Sequence, residues 1–314
     1  MEEKLVIVSS PHFRAKTATR DIMLDVLIAL VPALIAATVI FGVRALALSL
    51  FCVASCILLE YIYRKITKQS MTISDFSATV TGLLLSFNLP ATLPLWMAFI
   101  GCIVAIVVVK QLFGGIGKNF ANPAIVGRIV LLISFAGPMT RWAAPAISSA
   151  NAVSAATSGI DALSAATPLV TGTASYMNMF LGTIGGSMGE TCKLALLIGF
   201  AYLVIRKVIT VTIPLVYLGT AALFSFILSA DPLYQLLSGG LILGAIFMAS
   251  DYVTSPVTET GKAVFAAGCG ILTVIIRLYA GYPEGVSFAI LIMNIVSPHI
   301  DRLFGSKAFG GVKA

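Results

Sequence analysis

Charge is what this sequence lacks most. Asp, Glu, Lys and Arg make up 11% of its 314 residues, against roughly 25% in soluble globular domains. With 59% hydrophobic residues and a mean hydropathy of +1.02, that scarcity excludes a soluble domain. Histidine is scarce too: His12 and His299 are the only two, and neither has a metal-ligand neighbour. The five cysteines (Cys52, Cys56, Cys102, Cys192, Cys269) contain no C-x-x-C pair. Together these shortages argue against a thiolate or imidazole metal centre in this chain, and the cysteines read as small buried hydrophobes. Alternating strands of about ten residues are missing as well, which excludes a membrane barrel. No small-residue cleavage pattern follows the first apolar stretch, so the basic residues 1–21 read as a retained arm and not as a leader.

What is present is a series of apolar runs. A helix needs roughly 20 residues to cross ~30 Å of hydrocarbon, and ten candidates occur, at 22–43, 45–63, 77–90, 94–110, 123–138, 191–206, 209–229, 234–250, 263–279 and 285–300. Two of them, 77–90 and 123–138, are short. The expected fold is an all-α polytopic membrane protein of about ten transmembrane helices. Placing the N-terminus inside puts sixteen of the 20 Lys and Arg residues on the cytoplasmic side, including Lys118 and Arg128, and leaves Arg44, Arg141, Lys193 and Arg277 outside. The positive-inside rule then puts both termini in the cytoplasm, and the net charge of +7 reads as orientation and not as nucleic-acid binding. The organisation that follows is an arm at 1–21, a first membrane half at 22–138, an outer loop at 139–190, a second membrane half at 191–300 and a cytoplasmic tail at 301–314.

Five spans per half would make the second half an inverted copy of the first, an arrangement whose sites lie between halves at broken helices. Echoes support the repeat: Ser86-Phe87-Asn88-Leu89-Pro90 corresponds in place to Asp251-Tyr252-Val253-Thr254-Ser255-Pro256, and Asn122-Pro123 to Asn294 with Pro298. Backbone freed by such breaks must be satisfied by protein or by water in a cavity. The run from Phe113 to Pro123 is the densest break: Gly114, Gly115 and Gly117 allow a close backbone approach, and Asn119 and Asn122 can donate and accept hydrogen bonds. The alternative is a tight re-entrant turn that caps the fifth span. No strand precedes it and no Lys-Ser or Lys-Thr follows, which leaves it a weak match to a phosphate-binding loop. Ionisable groups in spans are costly, so Asp25, Glu60, Asp75, Asp251 and Glu259 stand out. Asp25 and Asp251 are the candidates for an ion path between the halves; solvation at a helix end, or pairing with Lys118 or Arg128, is the alternative.

The segment Asp161-Ala162-Leu163-Ser164-Ala165-Ala166-Thr167-Pro168-Leu169 sits in the one long stretch of low hydropathy, whose small residues otherwise suit a linker. Its order of an acidic residue, a hydroxyl residue, small residues and then threonine resembles the signal read by flavin transferases that esterify FMN to a threonine. A near-copy, Asn151 to Thr157, lies ten residues upstream, and the carboxylate of Asp161 favours Thr167 over Thr157. Ala165 departs from the common Ser-Gly-Ala-Thr form.

Taken with Ser10-Pro11-His12, the Asn-Leu-Pro break at 88–90, the glycine and asparagine run at 113–123 and Asp251 to Pro256, this loop makes the chain resemble the family of D subunits of the Rnf complex. That family is closely related to the B subunits of the Na+-translocating NADH:quinone reductase; the shorter chain favours the Rnf member. The resemblance implies a multi-pass component, in a bacterial or archaeal plasma membrane, of a redox-driven complex that exchanges electrons between ferredoxin and NAD and moves Na+ or H+. It implies FMN held covalently on Thr167, with Asp161 and Ser164 as the attachment motif, and a noncovalent second flavin, riboflavin, near Asn119 and Asn122. Phe120 and Trp142 are stacking candidates for it, and an interfacial aromatic belt accounts for Trp142 equally well. The partners implied are the iron-sulfur and flavin subunits of the complex, a flavin transferase and the lipid bilayer. A flavin's electronics are the cofactor's own, and the protein's part is to hold and tune it. The rival readings are a redox-inactive inverted-repeat channel and a structural scaffold, neither of which needs the 161–169 loop.

Overall fold

The computed structural model describes residues 18–143, 145, 164–165, 168–172, 174–280 and 284–304. Four helices are long and apolar enough to cross a membrane: α1 (Thr19–Phe41), α2 (Val43–Ile66), α13 (Glu259–Tyr279) and α14 (Val286–Phe304). The 23 residues of α1 extend about 35 Å at 1.5 Å per residue. Outward-facing Ile35, Val39, Leu50 and Ile295 leave apolar surface around the bundle, as a lipid-facing wall requires.

Helices in lipid gain little by burying apolar surface against each other, so close approach depends on small side chains. The tightest pairs follow that rule. A Cβ on Gly199 of α9 (Lys193–Ile205) would fall 2.2 Å from the Ala29 carbonyl of α1. One on Gly82 of α3 (Ser77–Phe87) would lie 2.8 Å from the Val53 Cα of α2. One on Gly127 of α5 (Pro123–Ser134) would reach the Gly101 carbonyl of α4 (Leu95–Ile103) at 2.9 Å. Gly270 of α13 packs in the same way on Thr220 and Ala221 of α10 (Thr212–Ile227).

Several apolar runs are not single helices. The 123–138 run bends at Phe135 between α5 and α6 (Ala136–Met139). The 234–250 run is three pieces: α11 (Pro232–Leu237), α12 (Leu241–Leu243) and a π-helical stretch at Gly244–Met248. Hydropathy reads that run as continuous, but Gly239 adopts a positive φ of 61° and breaks the helix. A second π-helical stretch, Val104–Gln111, continues α4. At 11 residues, α3 is about 16 Å long, so the helix by itself covers about half of the ~30 Å hydrocarbon core. The turn at its exit is held by main-chain bonds from Met188 N to Leu89 O (3.2 Å) and from Gly189 N to Phe87 O (2.9 Å). This ties the break in the first half to the segment preceding α9.

The 139–190 segment also carries regular structure among its described residues. Strand β1 (Trp142–Ala143) pairs antiparallel with β2 (Ser164–Ala165), and α7 (Pro168–Thr171) and α8 (Tyr176–Leu181) follow. The bundle has two ends. One gathers Lys65, Lys68, Lys118, Arg206, Lys207 and Lys262 on helix ends and the connections between them and is called the basic end below; the other carries Thr92, Arg141, Tyr176 and Asp231.

Candidate functional site

An open cleft with about 100 Å³ of accessible space enters the bundle at the basic end, between residues of both halves. Its walls are apolar, from Val26, Val80, Leu84, Leu203 and Phe247, and its polar groups include Ser77, Lys110, Asn119, Asn122 and Asp251. Asn119, Asn122 and Asp251, more than 120 residues apart at the extremes, are thus brought to one place.

Local chemistry fixes each polar group. Asn122 is the N-cap of α5: its Oδ1 accepts from Ala124 N (3.1 Å) and Ile125 N (3.5 Å), while its Nδ2 donates to Met248 O (3.3 Å). Pro123 follows at the first helical position, where its missing N–H costs nothing. Asn122 therefore joins the start of α5 to the end of the Gly244–Met248 π stretch, as the re-entrant-turn reading holds, and both of its amide atoms are engaged. Asn119 donates from Nδ2 to Ala121 O (3.1 Å), and among the described residues no hydrogen bond engages its Oδ1. The glycine run serves the chain itself: a Cβ at Gly115 would stand 2.6 Å from Arg64 Nη2, so this glycine makes room for an internal cation. Phe120 is 43% exposed and stacks on Phe113 at 4.9 Å, and does not line the cleft. Trp142, buried at the opposite end in β1, does not line it either.

Lys110, on the cleft wall, donates to Glu60 Oε2 (2.8 Å) and Ser77 Oγ (2.6 Å). Glu60, fully buried, also takes Thr72 Oγ1 (2.7 Å) and lies 3.6 Å from Arg64 Nε. Asp251 pairs with neither Lys118 nor Arg128. It accepts from Val253 N (3.3 Å) and Thr254 Oγ1 (3.2 Å) of its own connection, and burial pushes its carboxyl above the usual range. Asp25 also departs from that expectation: Tyr202 Oη (2.8 Å) and Arg206 Nη2 (3.3 Å) are its partners. Asp75 caps Ser77 through N and Oγ (2.8 and 2.6 Å). Glu259 accepts from Lys262 and Thr212, both at 2.8 Å.

The largest polar cluster was not foreseen. Arg128, assigned by the charge pattern to the cytoplasmic edge, lies within α5 at 3% exposure. It donates to Asn88 Oδ1 (2.9 Å), Glu190 Oε1 (3.1 Å) and Ser287 Oγ (3.1 Å), and pairs with Glu284. Lys193, expected outside, is likewise buried and donates to the carbonyls of Glu190 and Gly239. A positive charge five residues past a helix-opening Asn-Pro, inside an apolar run, was the available signal.

Thr167, Asp161 and Thr157 lie outside the described residues, as does the side chain of Ser164. The described flanks of Thr167 are both docked. On one side β2 pairs with β1, and on the other Tyr234 Oη donates to Pro168 O (2.6 Å).

These features define a multi-pass helical membrane protein with an apolar-walled cleft at broken helices and buried ion pairs across its interior. The chain belongs to the NQR2, RnfD, RnfE family, whose model matches residues 6–310. It is 44% identical to the D subunit of the Na+-translocating ferredoxin:NAD+ oxidoreductase complex of Acetobacterium woodii, over 99% of this chain and 97% of the relative. To the proton-translocating counterpart of Clostridium ljungdahlii it is 40% identical, over 97% and 96%. To the D subunit of the ion-translocating oxidoreductase complex of Escherichia coli it is 37% identical, over 97% and 98%.

Proposed function

We propose that this chain is the D-type membrane component of an ion-translocating ferredoxin:NAD+ oxidoreductase complex, carrying FMN on Thr167 and coupling electron transfer to movement of Na+ or H+. The observation that carries this reading is similarity along nearly the whole length to proteins of that name. The ten apolar runs, counted with the short and broken ones, are then ten membrane passages in two inverted sets of five. The basic end faces the cytoplasm with both termini, and the 139–190 segment faces outward, where an exported flavin transferase acts, until its last residues, Met188 to Glu190, turn into the bundle.

The residues suit flavins at two places. The basic-end cleft pairs apolar walls with a polar rim, matching an isoalloxazine's apolar faces and polar edges. Asn119 Oδ1 is the acceptor left over there, and we assign the noncovalent flavin, riboflavin, to this cleft, with Asn122 holding its floor rigid. Around Thr167, the paired strand on one side and the Tyr234 bond on the other restrict where the attachment point can travel. A bound flavin supplies the step between two-electron and one-electron carriers; the chain's own groups bind, orient and exclude water. Asp251 and the Lys110–Glu60 pair supply the charge beside the cleft through which electron transfer would bias ion entry, and Asp25, held by Arg206, flanks it.

Peptide mass spectrometry across residues 142–193 of the chain taken from active complex tests the attachment. The expected result is an added FMN mass on the peptide holding Thr167, with in-gel fluorescence lost in Thr167→Ala. An unmodified peptide from active complex, or modification at Thr157 alone, overturns the assignment. A colourless protein would favour the channel or scaffold readings.

A further inference from the structure

Helix α14 carries a polar position with no structural employment. Among the described residues, Asn294 is 2% exposed, yet neither Oδ1 nor Nδ2 has a hydrogen-bond partner. Leaving a buried amide unmatched costs about 1–3 kcal/mol per group, so a purely structural position would hold an apolar residue. A third polar group is free beside it. The main-chain carbonyl of a helical residue accepts from the N–H four residues on, and position 298 is a proline inside α14, which has no N–H to give. Asn294 thus presents a carboxamide oxygen and a released carbonyl oxygen in one turn of an otherwise apolar helix.

Its place in the bundle gives that turn a meaning. Ser287, two turns earlier on the same face, bonds Arg128 of the Glu190–Glu284 cluster, so the Asn294 face is the one turned toward α5. Seven residues set Asn294 about 10 Å from Ser287 along the axis. Ile290, one turn before Asn294, packs against Gly244 at the start of the second π stretch: a Cβ there would meet Ile290 Cδ1 at 3.3 Å. That stretch ends at Met248, whose carbonyl Asn122 holds and whose sulfur lies 3.6 Å from Asn88 Nδ2. Asn294 therefore stands between the basic-end cleft and the charged cluster. The cluster has an unmatched oxygen of its own, since among the described residues Glu284 Oε1 is buried without a partner.

We infer that Asn294 Oδ1 and the carbonyl freed by Pro298 are ligands for a partly dehydrated Na+ on a path along the α5–α14 seam, from the cleft to the Arg128–Glu190–Glu284 cluster. Neutral oxygen donors suit a hard monovalent cation, as carbonyl rings do in channels, and Asn294 has no titratable group with which to relay a proton. Glu284 Oε1 is the next oxygen on the far side, where Arg128 bars passage until the carboxylate is claimed by the ion. This rests on the ion-motive function proposed above.

The test is 22Na+ uptake by the whole complex in proteoliposomes, per electron delivered from reduced ferredoxin to NAD+, as a function of Na+ concentration. Asn294→Ala should raise the Na+ concentration for half-maximal uptake at least tenfold and lower uptake per electron at limiting Na+, with electron transfer retained at saturating Na+. Asn294→Asp should lower the half-maximal concentration. If the alanine variant fails to assemble, Asn294→Ser, smaller but polar, carries the same expected direction. Wild-type Na+ dependence and uptake per electron in an assembled variant overturn the site alone, as does a wild-type complex that moves H+ and no Na+. A wild-type complex that moves neither ion removes the ion-motive reading itself.

Discussion

Replacing Arg128 with methionine is the sharpest probe of how the interior is held together. The guanidinium is 3% exposed and faces two carboxylates, Glu190 and Glu284, with Asn88 and Ser287 completing its donors. Methionine keeps much of the volume and removes every donor and the charge. Two buried carboxylates are then left uncompensated, and breaking a buried pair from one side costs about 3–5 kcal/mol, a large part of the ~5–15 kcal/mol that holds a typical protein folded. Glu190→Gln alone should cost less, on the order of 1 kcal/mol, because Arg128 keeps Glu284. The triple variant Arg128→Met, Glu190→Gln, Glu284→Gln should recover part of the loss, since no carboxylate is left facing the missing guanidinium, although buried Lys193 loses the nearby Glu190 charge. A thiol-reactive fluorophore reports melting in detergent, because Cys52, Cys56, Cys102 and Cys269 are free and buried and become reactive only on unfolding. An Arg128→Met protein that melts with the wild type would refute the reasoning. So would a triple variant no more stable than Arg128→Met, since unpaired charge would then not be the cause.

Two further expectations concern packing and pH. Gly199→Ala should destabilise by about 1–3 kcal/mol through its clash with the Ala29 carbonyl, read in the same melting assay, whereas Gly219→Ala, whose added Cβ meets nothing within 4 Å, should leave melting unchanged. At the opposite end, the Tyr176 hydroxyl and the Tyr234 and Leu233 amides hold the Asp231 carboxyl below its usual range. A depressed carboxyl contributes stability above the unfolded value and loses it as pH falls through the folded one. The wild type should therefore lose part of its stability only below the ordinary carboxylate range, and Asp231→Asn should remove that acid-side slope. An unchanged slope would show that the cap at the start of α11 is not its source.

Much of the architecture was written in composition, and some of the site in local motifs. Asn-Pro at 122–123 announced a helix start because N-capping and the proline φ are properties of adjacent residues, and the structure caps α5 there. Asn119, Asn122 and Asp251 were each legible as breaks, and the cleft unites them. Arg128 was misplaced because a charge count treats every basic residue as topogenic, whereas its partners Glu190 and Glu284 are distant in sequence and meet it only after folding. Averaging hydropathy also hid the interruption of 234–250, because Gly239 and Gly240 do not lower a window mean enough to register, while the Glu190 carboxylate, 2.5 Å from where a Cβ on Gly240 would stand, requires the gap.

The two π-helical stretches place a store of movable slack beside the proposed path. A π turn winds one more residue into a turn than an α turn, and that surplus can pass along a helix without breaking the chain. Each step turns the residues it passes by about 100° and shifts them by about 1.5 Å. In the first stretch, Val104–Gln111, the residue so turned is Lys110, the partner of Glu60; in the second, Gly244–Met248, it is Met248, whose carbonyl Asn122 grips. A migration of either π turn would re-aim Lys110 or the floor beside Asn122 by a screw motion inside its own helix, with the neighbouring helices left in place.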